Sequence, residues 1–80
     1  MFLSELPNGT PAVVEGVAVS SQDVDGASLR RLEELGFIAG EPLEVLRRGP
    51  GGRQPLAVMI GDTLLALRQL EAQCISVRPL

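Results

Sequence analysis

Residue types that support catalysis or metal binding are sparse in this 80-residue chain, which contains no histidine and a single cysteine, Cys74. Its closest pairs of carboxylates are Asp23 with Asp25 and Glu33 with Glu34. Acid–base catalysis by two carboxylates needs one of them in an apolar pocket that raises its pKa. The first pair stands in a polar segment and the second among charged neighbours, so neither pattern is typical of an acid–base site.

Residues that could bind a metal or act as a catalytic nucleophile are equally scarce. A structural zinc site takes four ligands, mostly cysteine and histidine, which one chain with a single cysteine cannot assemble. The hydroxyls of Ser20 and Ser21 have no basic partner to activate them. Cys74 begins a stretch of alternating apolar and polar residues, which favours a partly buried, small apolar role for it. We therefore expect a non-enzyme with no cofactor and no metal site of its own.

Charge and composition narrow the remaining classes of function. Ten acidic residues oppose seven arginines, for a net charge of −3, whereas nucleic-acid-binding domains usually carry a basic patch. The only aromatic residues, Phe2 and Phe37, are too few for an aromatic groove that binds proline-rich peptides. No apolar run approaches the roughly 20 residues of a membrane-spanning helix, and no secretory signal begins the chain. We expect a cytoplasmic protein that binds no nucleic acid.

The sequence predicts one extended helix, over residues 27–35. Four of its residues are charged: Arg30, Arg31, Glu33 and Glu34. The polar segment before it offers Asp25 or Ser28 as the N-cap. Three leucines at three-residue spacing predict the buried stripe of this helix: Leu29, Leu32 and Leu35.

The end of this helix has a recognisable pattern. If Gly36 is the left-handed residue after the helix, Phe37 and Leu32 occupy the two positions whose contact marks a Schellman motif. The segment from Leu35 to Gly40 is therefore explained as a helix stop before any function is considered.

Strands are predicted over residues 11–19, 42–48, 56–60, 63–67 and 74–77. The apolar phase of the first strand changes at Gly16, which predicts a β-bulge. Residues 69–73 read as a short helical turn. Five short strands and one helix predict a mainly β fold, in which a small, bent antiparallel barrel hides the sheet edges. The whole chain, residues 1–80, is expected to form one domain.

The third and fourth strands are joined by Gly61-Asp62, which predicts a tight hairpin. This turn would place Val58 opposite Leu65 and Ile60 opposite Thr63. Both strands are apolar at most positions, so we expect the hairpin to be covered on both faces.

Five spaced elements of the chain, taken in order, resemble the FeoA family of bacterial ferrous-iron transport. The elements are Leu3-x-x-Leu6-Pro7-x-Gly9-x-x-Ala12-x-Val14, Arg31-Leu32-x-x-Leu35-Gly36-Phe37-x-x-Gly40-x-x-Leu43-x-Val45, Pro50 with Pro55, Gly61-x-x-Leu64-x-Ala66-Leu67-Arg68, and Glu71-Ala72-x-x-Ile75-x-Val77. One departure is Ala39, where the family often has proline. The family motif therefore includes the helix-stop and turn residues Leu32, Leu35, Gly36, Phe37, Gly40 and Gly61.

The resemblance implies an SH3-like barrel that acts as a cytoplasmic accessory protein of ferrous-iron transport. The implied partner is FeoB, the membrane permease with a cytoplasmic G-protein domain, whose binding would hold the chain at the inner membrane. A metal-responsive regulator, related to the C-terminal SH3-like domain of iron-dependent repressors, is the alternative, and weak homo-oligomerisation stays open. The surface hypothesised to bind the partner consists of Asp23, Asp25, Arg30, Arg31, Glu33 and Glu34.

Overall fold

The computed structural model describes residues 1–18 and 25–80. Its strands are β1 (Ala12–Val17), β2 (Pro42–Arg48), β3 (Leu56–Ile60), β4 (Thr63–Leu67) and β5 (Ile75–Pro79). They form one antiparallel sheet in the order β4-β3-β2-β1-β5. The α-helices are α1 (Gly26–Glu34) and the single turn α2 (Gln69–Ala72), and two short 3-10 helices span Leu3–Glu5 and Pro50–Gly52. All five predicted strands, the predicted helix and the predicted helical turn are confirmed, except that residue 19, the predicted end of the first strand, lies outside the described residues.

Two bulges bend the sheet around its core. The pairing of β1 with β5 shifts register between Val14 and Gly16, which confirms the predicted bulge. The pairing of β2 with β3 shifts in the same way between Val45 and Arg47. A bulge adds a residue to one strand and increases its local twist and bend. The sheet therefore curves enough for every strand to face one apolar core.

The core combines the inward side chains of the strands with residues from the segments between them. Phe37 is its largest fully buried side chain. Leu3 and Leu6 enter from the N-terminal segment, and Leu32 enters from α1. The two other leucines of the predicted stripe, at positions 29 and 35, are half-buried and pack against this core.

The C-terminal end of α1 is a Schellman motif, as its sequence predicts. Gly36 has φ of +117°. Its N–H donates to the carbonyl of Glu33 at 3.0 Å, and the N–H of Phe37 donates to the carbonyl of Leu32 at 3.2 Å. These two bonds satisfy carbonyls that a helix end otherwise leaves unpaired, and they turn Phe37 into the core.

The hairpin formed by β3 and β4 has the predicted register. Val58 lies opposite Leu65, and Ile60 lies opposite Thr63. Of the two turn residues, only Gly61 has positive φ, +56°, which is the pattern of a type II′ turn.

The prediction that both faces of this hairpin are covered is wrong for β4. The side chain of Leu64 is 57% exposed, and Ala66 is also exposed. The physical reason is that Leu64 and Ala66 lie on the face of β4 away from the core, and no described segment covers them there. Apolar residues on both faces of a strand do not reveal whether another segment covers its outer face.

The opposite edge of the sheet is covered by the N-terminus. The N–H of Val77 in β5 donates to the carbonyl of Met1 at 2.8 Å, and the N-terminal amino group donates to the carbonyl of Val77 at 3.3 Å. Phe2 forms an antiparallel bridge with Ser76. The first residues therefore act as a short additional strand along β5.

The segment after this bridge is held to β2 by one arginine. Nη2 of Arg48 donates to the carbonyls of Ser4 at 3.1 Å and Leu6 at 2.8 Å, and Nη1 donates to the side chain of Asn8. The forked guanidinium satisfies several acceptors at once, so it fixes the chain that carries Leu6 into the core.

Candidate functional site

The hypothesised partner surface begins at the N-terminus of α1. Oδ1 of Asp25 accepts the backbone N–H of Ser28 at 2.8 Å, so Asp25 is the N-cap. Hydrogen bonds from the backbone N–H and then the side chain of Ser28 hold the pKa of Asp25 below its ordinary value. Asp25 therefore serves the helix itself, while Asp23, the first residue of the hypothesised surface, lies outside the described residues.

The other four hypothesised residues are exposed on α1: Arg30, Arg31, Glu33 and Glu34. Arg31 reaches a second element, because its Nη1 lies 3.5 Å from Oε2 of Glu71 in α2. The two side chains are 68% and 19% exposed, respectively. The ion pair joins two elements that are far apart in the chain. Both of its residues line a groove.

Glu71 is held in place by a second interaction. Its Oε1 accepts the backbone N–H of Arg68, the N-cap residue of α2, at 2.8 Å. The side-chain carbonyl of Gln54 accepts the backbone N–H of Gln69 at 2.9 Å and joins the preceding loop to the same helix. The position of α2 beside the end of β4 is therefore fixed at its first turn.

Between α1 and α2 lies an open groove of about 510 Å³. Its polar lining comes from Ser28, Arg31, Arg68 and Glu71, and its apolar lining from Pro55, Ala66, Leu67 and Leu70. Two arginines and one glutamate give the lining an excess of one positive charge, whereas the whole chain carries −3. The groove can accept a segment that offers a carboxylate and an apolar side chain.

The structure brings together only part of the hypothesised surface. Arg31 lines the groove, but Arg30, Glu33 and Glu34 do not. The sequence prediction missed Arg68, Leu70 and Glu71. The one available signal was Glu71, an acidic residue three positions after Arg68, where the glutamate of a capping box stands. Nothing in the sequence links residue 31 to residue 71, because their contact depends on how the strands are ordered.

Within the described part of the chain, no group of three or more histidine, cysteine, aspartate or glutamate side chains could hold a metal ion. No helix there is long and apolar enough to cross a membrane. Cys74 is fully buried in the core, and its Sγ donates to the carbonyl of Leu70 at 3.3 Å. Its apolar role agrees with the prediction, although its burial is complete rather than partial.

A family model described as "FeoA domain" matches residues 1–79. The crystal structure of FeoA from Stenotrophomonas maltophilia, complexed with zinc and described as a prokaryotic SH3 domain protein, is 46% identical, with a TM-score of 0.82 over 98% of this chain and 89% of that chain. The solution structure of FeoA from Chlorobium tepidum is 41% identical, with a TM-score of 0.84 over 100% of this chain and 70% of that chain. No curated protein sequence matches significantly.

A third similar structure belongs to a protein with a different description. A manganese-dependent transcriptional repressor is 25% identical, with a TM-score of 0.81 over 100% of this chain and 41% of that chain. Together the likenesses identify the bent five-stranded sheet as SH3-like, which confirms the predicted fold class.

Proposed function

The chain belongs to the FeoA family, and from that membership we propose that it is a non-enzymatic accessory protein of bacterial ferrous-iron transport. The relative from S. maltophilia, 46% identical, has been put forward as a bacterial ferrous-iron transport activating factor. The shortage of catalytic residue types in the sequence supports an adaptor rather than an enzyme.

The proposed partner is the cytoplasmic G-protein domain of the FeoB permease, and the proposed docking site is the groove between α1 and α2. The observation that carries this assignment is the positively charged lining of the groove on an otherwise acidic chain. Leu70, at the same site, is 41% exposed. A partner segment with a carboxylate beside an apolar side chain matches both features, because complementary charge steers encounter and sets specificity.

The ion pair at the groove is easily exchanged for one with a partner. Arg31 is mostly in solvent, and exposed pairs contribute about 0–1 kcal/mol. A carboxylate of the partner can therefore take over the guanidinium of Arg31 while Glu71 keeps its hydrogen bond to the backbone of Arg68.

The test replaces Arg31 with glutamate and measures retention by the immobilised cytoplasmic domain of FeoB, with and without guanine nucleotide. Reversing the charge places a glutamate against Glu71 and against the partner's carboxylate. We expect affinity to fall about tenfold or more, equivalent to about 1.4 kcal/mol, with little change in melting temperature.

The matched control is Arg78→Glu, which alters the net charge by the same amount at an exposed position on β5. This variant should be retained like the unmodified chain. Equal retention of all three proteins would reject the groove, and equal loss by both variants would assign the effect to overall charge instead.

A metal-responsive regulator is the second candidate, favoured by the likeness to the manganese-dependent repressor. Anaerobic calorimetry with ferrous ion separates the two. Micromolar one-to-one binding would support the regulator, whereas the adaptor proposal expects none, since the described carboxylates do not converge.

A further inference from the structure

The outer edge of β4 is open among the described residues. β4 pairs with β3 and with no other described strand, whereas the edge of β5 is covered by Met1 and Phe2. An open edge presents a row of N–H and C=O groups that can pair with another strand.

The register of the hairpin identifies these groups. Thr63 lies opposite Ile60 across a two-residue turn, so the two residues exchange the first pair of hydrogen bonds. Bonded and non-bonded positions then alternate along an antiparallel pair. Leu65 therefore bonds to β3, and the backbone groups of Leu64 and Ala66 point away from the sheet.

β4 lacks three features that commonly protect the edge of a sheet. The strand Thr63–Leu67 contains no charged residue and no proline, and its pairing with β3 has no bulge. Charges, prolines and bulges are the devices by which native proteins protect an edge from pairing with other chains. The 57% exposure of Leu64 adds apolar surface at the same place.

We propose that β4 pairs antiparallel with β4 of a second copy of this chain, about a two-fold axis at Leu65. In this register Leu64 lies opposite Ala66 of the second copy, and the pair occurs twice because of the symmetry. Both residues present outward backbone groups, so the two pairs form four N–H···O bonds. The proposal goes beyond the adaptor function and is centred on β4, of which Ala66 also lines the groove.

The charges at the two ends of β4 favour self-pairing over other arrangements. Asp62 stands three residues before Leu65, Arg68 stands three residues after it, and both are exposed. The two-fold register places Asp62 of each copy opposite Arg68 of the other. A parallel arrangement would instead place like charges together, and like charges that face each other across strands are destabilising.

The size of the contact indicates a reversible dimer. Each copy contributes a five-residue strand, and small interfaces belong to weak or transient association. We expect the apparent mass to rise with concentration from that of the 8.5 kDa chain towards twice that value in analytical ultracentrifugation.

Amide hydrogen exchange locates the interface. The amides of Leu64 and Ala66 should exchange rapidly in dilute solution and become protected as the concentration of the chain rises. The amide of Leu65, which bonds to β3, should be protected at every concentration. A chain that stays monomeric, or that dimerises without protecting Leu64 and Ala66, overturns the proposal.

Two variants block the edge in different ways. Leu64→Lys adds a charge beside the axis of the dimer, and Ala66→Pro removes an outward N–H that β3 does not use. Each should abolish dimerisation, whereas the control Ile38→Lys, at a similarly exposed apolar residue outside β4 and the groove, should not. A dimer that persists in both edge variants would place the interface elsewhere and overturn the proposal.

Charge exchange tests the register directly. Asp62→Arg places two arginines opposite each other and should weaken the dimer, and adding Arg68→Asp should restore it. Failure of the double variant to recover would overturn the register.

The groove variant separates this proposal from the adaptor function. Arg31→Glu should dimerise normally while losing the permease domain. If the chain stays monomeric and Leu64→Lys instead loses that domain, β4 receives a strand from the partner rather than from a second copy, and self-pairing is wrong.

Discussion

Gly36 and the residue after it carry the family motif, and their observed chemistry is that of a helix stop. The positive φ of Gly36 allows the two terminal bonds to Glu33 and Leu32. A Cβ at Gly36 would meet Cγ1 of Ile60 at 3.7 Å, which is ordinary contact. The requirement for glycine therefore comes from the backbone and not from crowding.

We predict that Gly36→Ala lowers the free energy of unfolding by about 1–3 kcal/mol, the range for a residue held in a sparsely populated conformation. Gly16→Ala is the matched control, because Gly16 has no positive φ and an added Cβ would meet nothing within 4 Å. Urea denaturation of the three proteins measures the difference. Equal stability of the two variants would contradict the backbone explanation.

At the scale of elements, the start of α1 depends on one exposed carboxylate. Asp25 accepts the N–H of Ser28, and its negative charge also lies at the positive end of the helix dipole. Since the pKa of Asp25 is lower in the folded protein, its ionised form stabilises the fold. That contribution is complete above the ordinary pKa of 3.8 and is lost as the pH falls through the lowered value.

We predict that Asp25→Asn lowers the melting temperature at pH 7 and that this difference shrinks below about pH 3.8, the ordinary pKa of the group. Asparagine keeps a capping oxygen, so the comparison isolates the charge. Thermal unfolding of both proteins between pH 7 and pH 2 is the measurement. A difference that does not change with pH would show that the charge plays no part.

Two candidate interaction surfaces meet at β4. The outward backbone of β4 offers a surface for a strand, while its last residues and α2 line a groove for a partner. The hydrogen bond from the backbone N–H of Arg68 to Glu71 starts α2 directly after β4, so Ala66 and Arg68 lie where the two surfaces meet.

At the scale of the molecule, a chain of this length is expected to have a small free energy of unfolding. Single domains have unfolding free energies of about 0.05–0.15 kcal/mol per residue, so this chain is expected to have about 4–12 kcal/mol. Phe37 fills the centre of the only core of the described residues and is fully buried.

We predict that Phe37→Ala costs about 3–5 kcal/mol, which is a large share of the free energy of unfolding and lowers the midpoint of urea denaturation. Ile38→Ala is the adjacent control: Ile38 is 50% exposed, and surface changes usually stay within about 0.5 kcal/mol. Circular dichroism during urea titration compares them. A loss below about 1 kcal/mol for Phe37→Ala would show that the core closes over the missing ring.

Local patterns by themselves determined the helix, its glycine stop, the bulge at Gly16 and the register of the hairpin. Each depends on hydrogen bonds or side-chain periodicity among residues close in the chain. The resemblance carried by these motifs also predicted the family. The choice between Asp25 and Ser28 as the cap needed only local geometry, but the sequence left both open.

Only the tertiary structure decided which strand lies at the edge and which charges meet. Val58 and Leu64 are both apolar residues of one hairpin, yet the first is fully buried and the second is 57% exposed. Arg31 and Glu71 meet because the sheet order brings α1 beside α2. Sheet order is set by the joint packing of all the strands on one core, and no local pattern encodes that long-range arrangement.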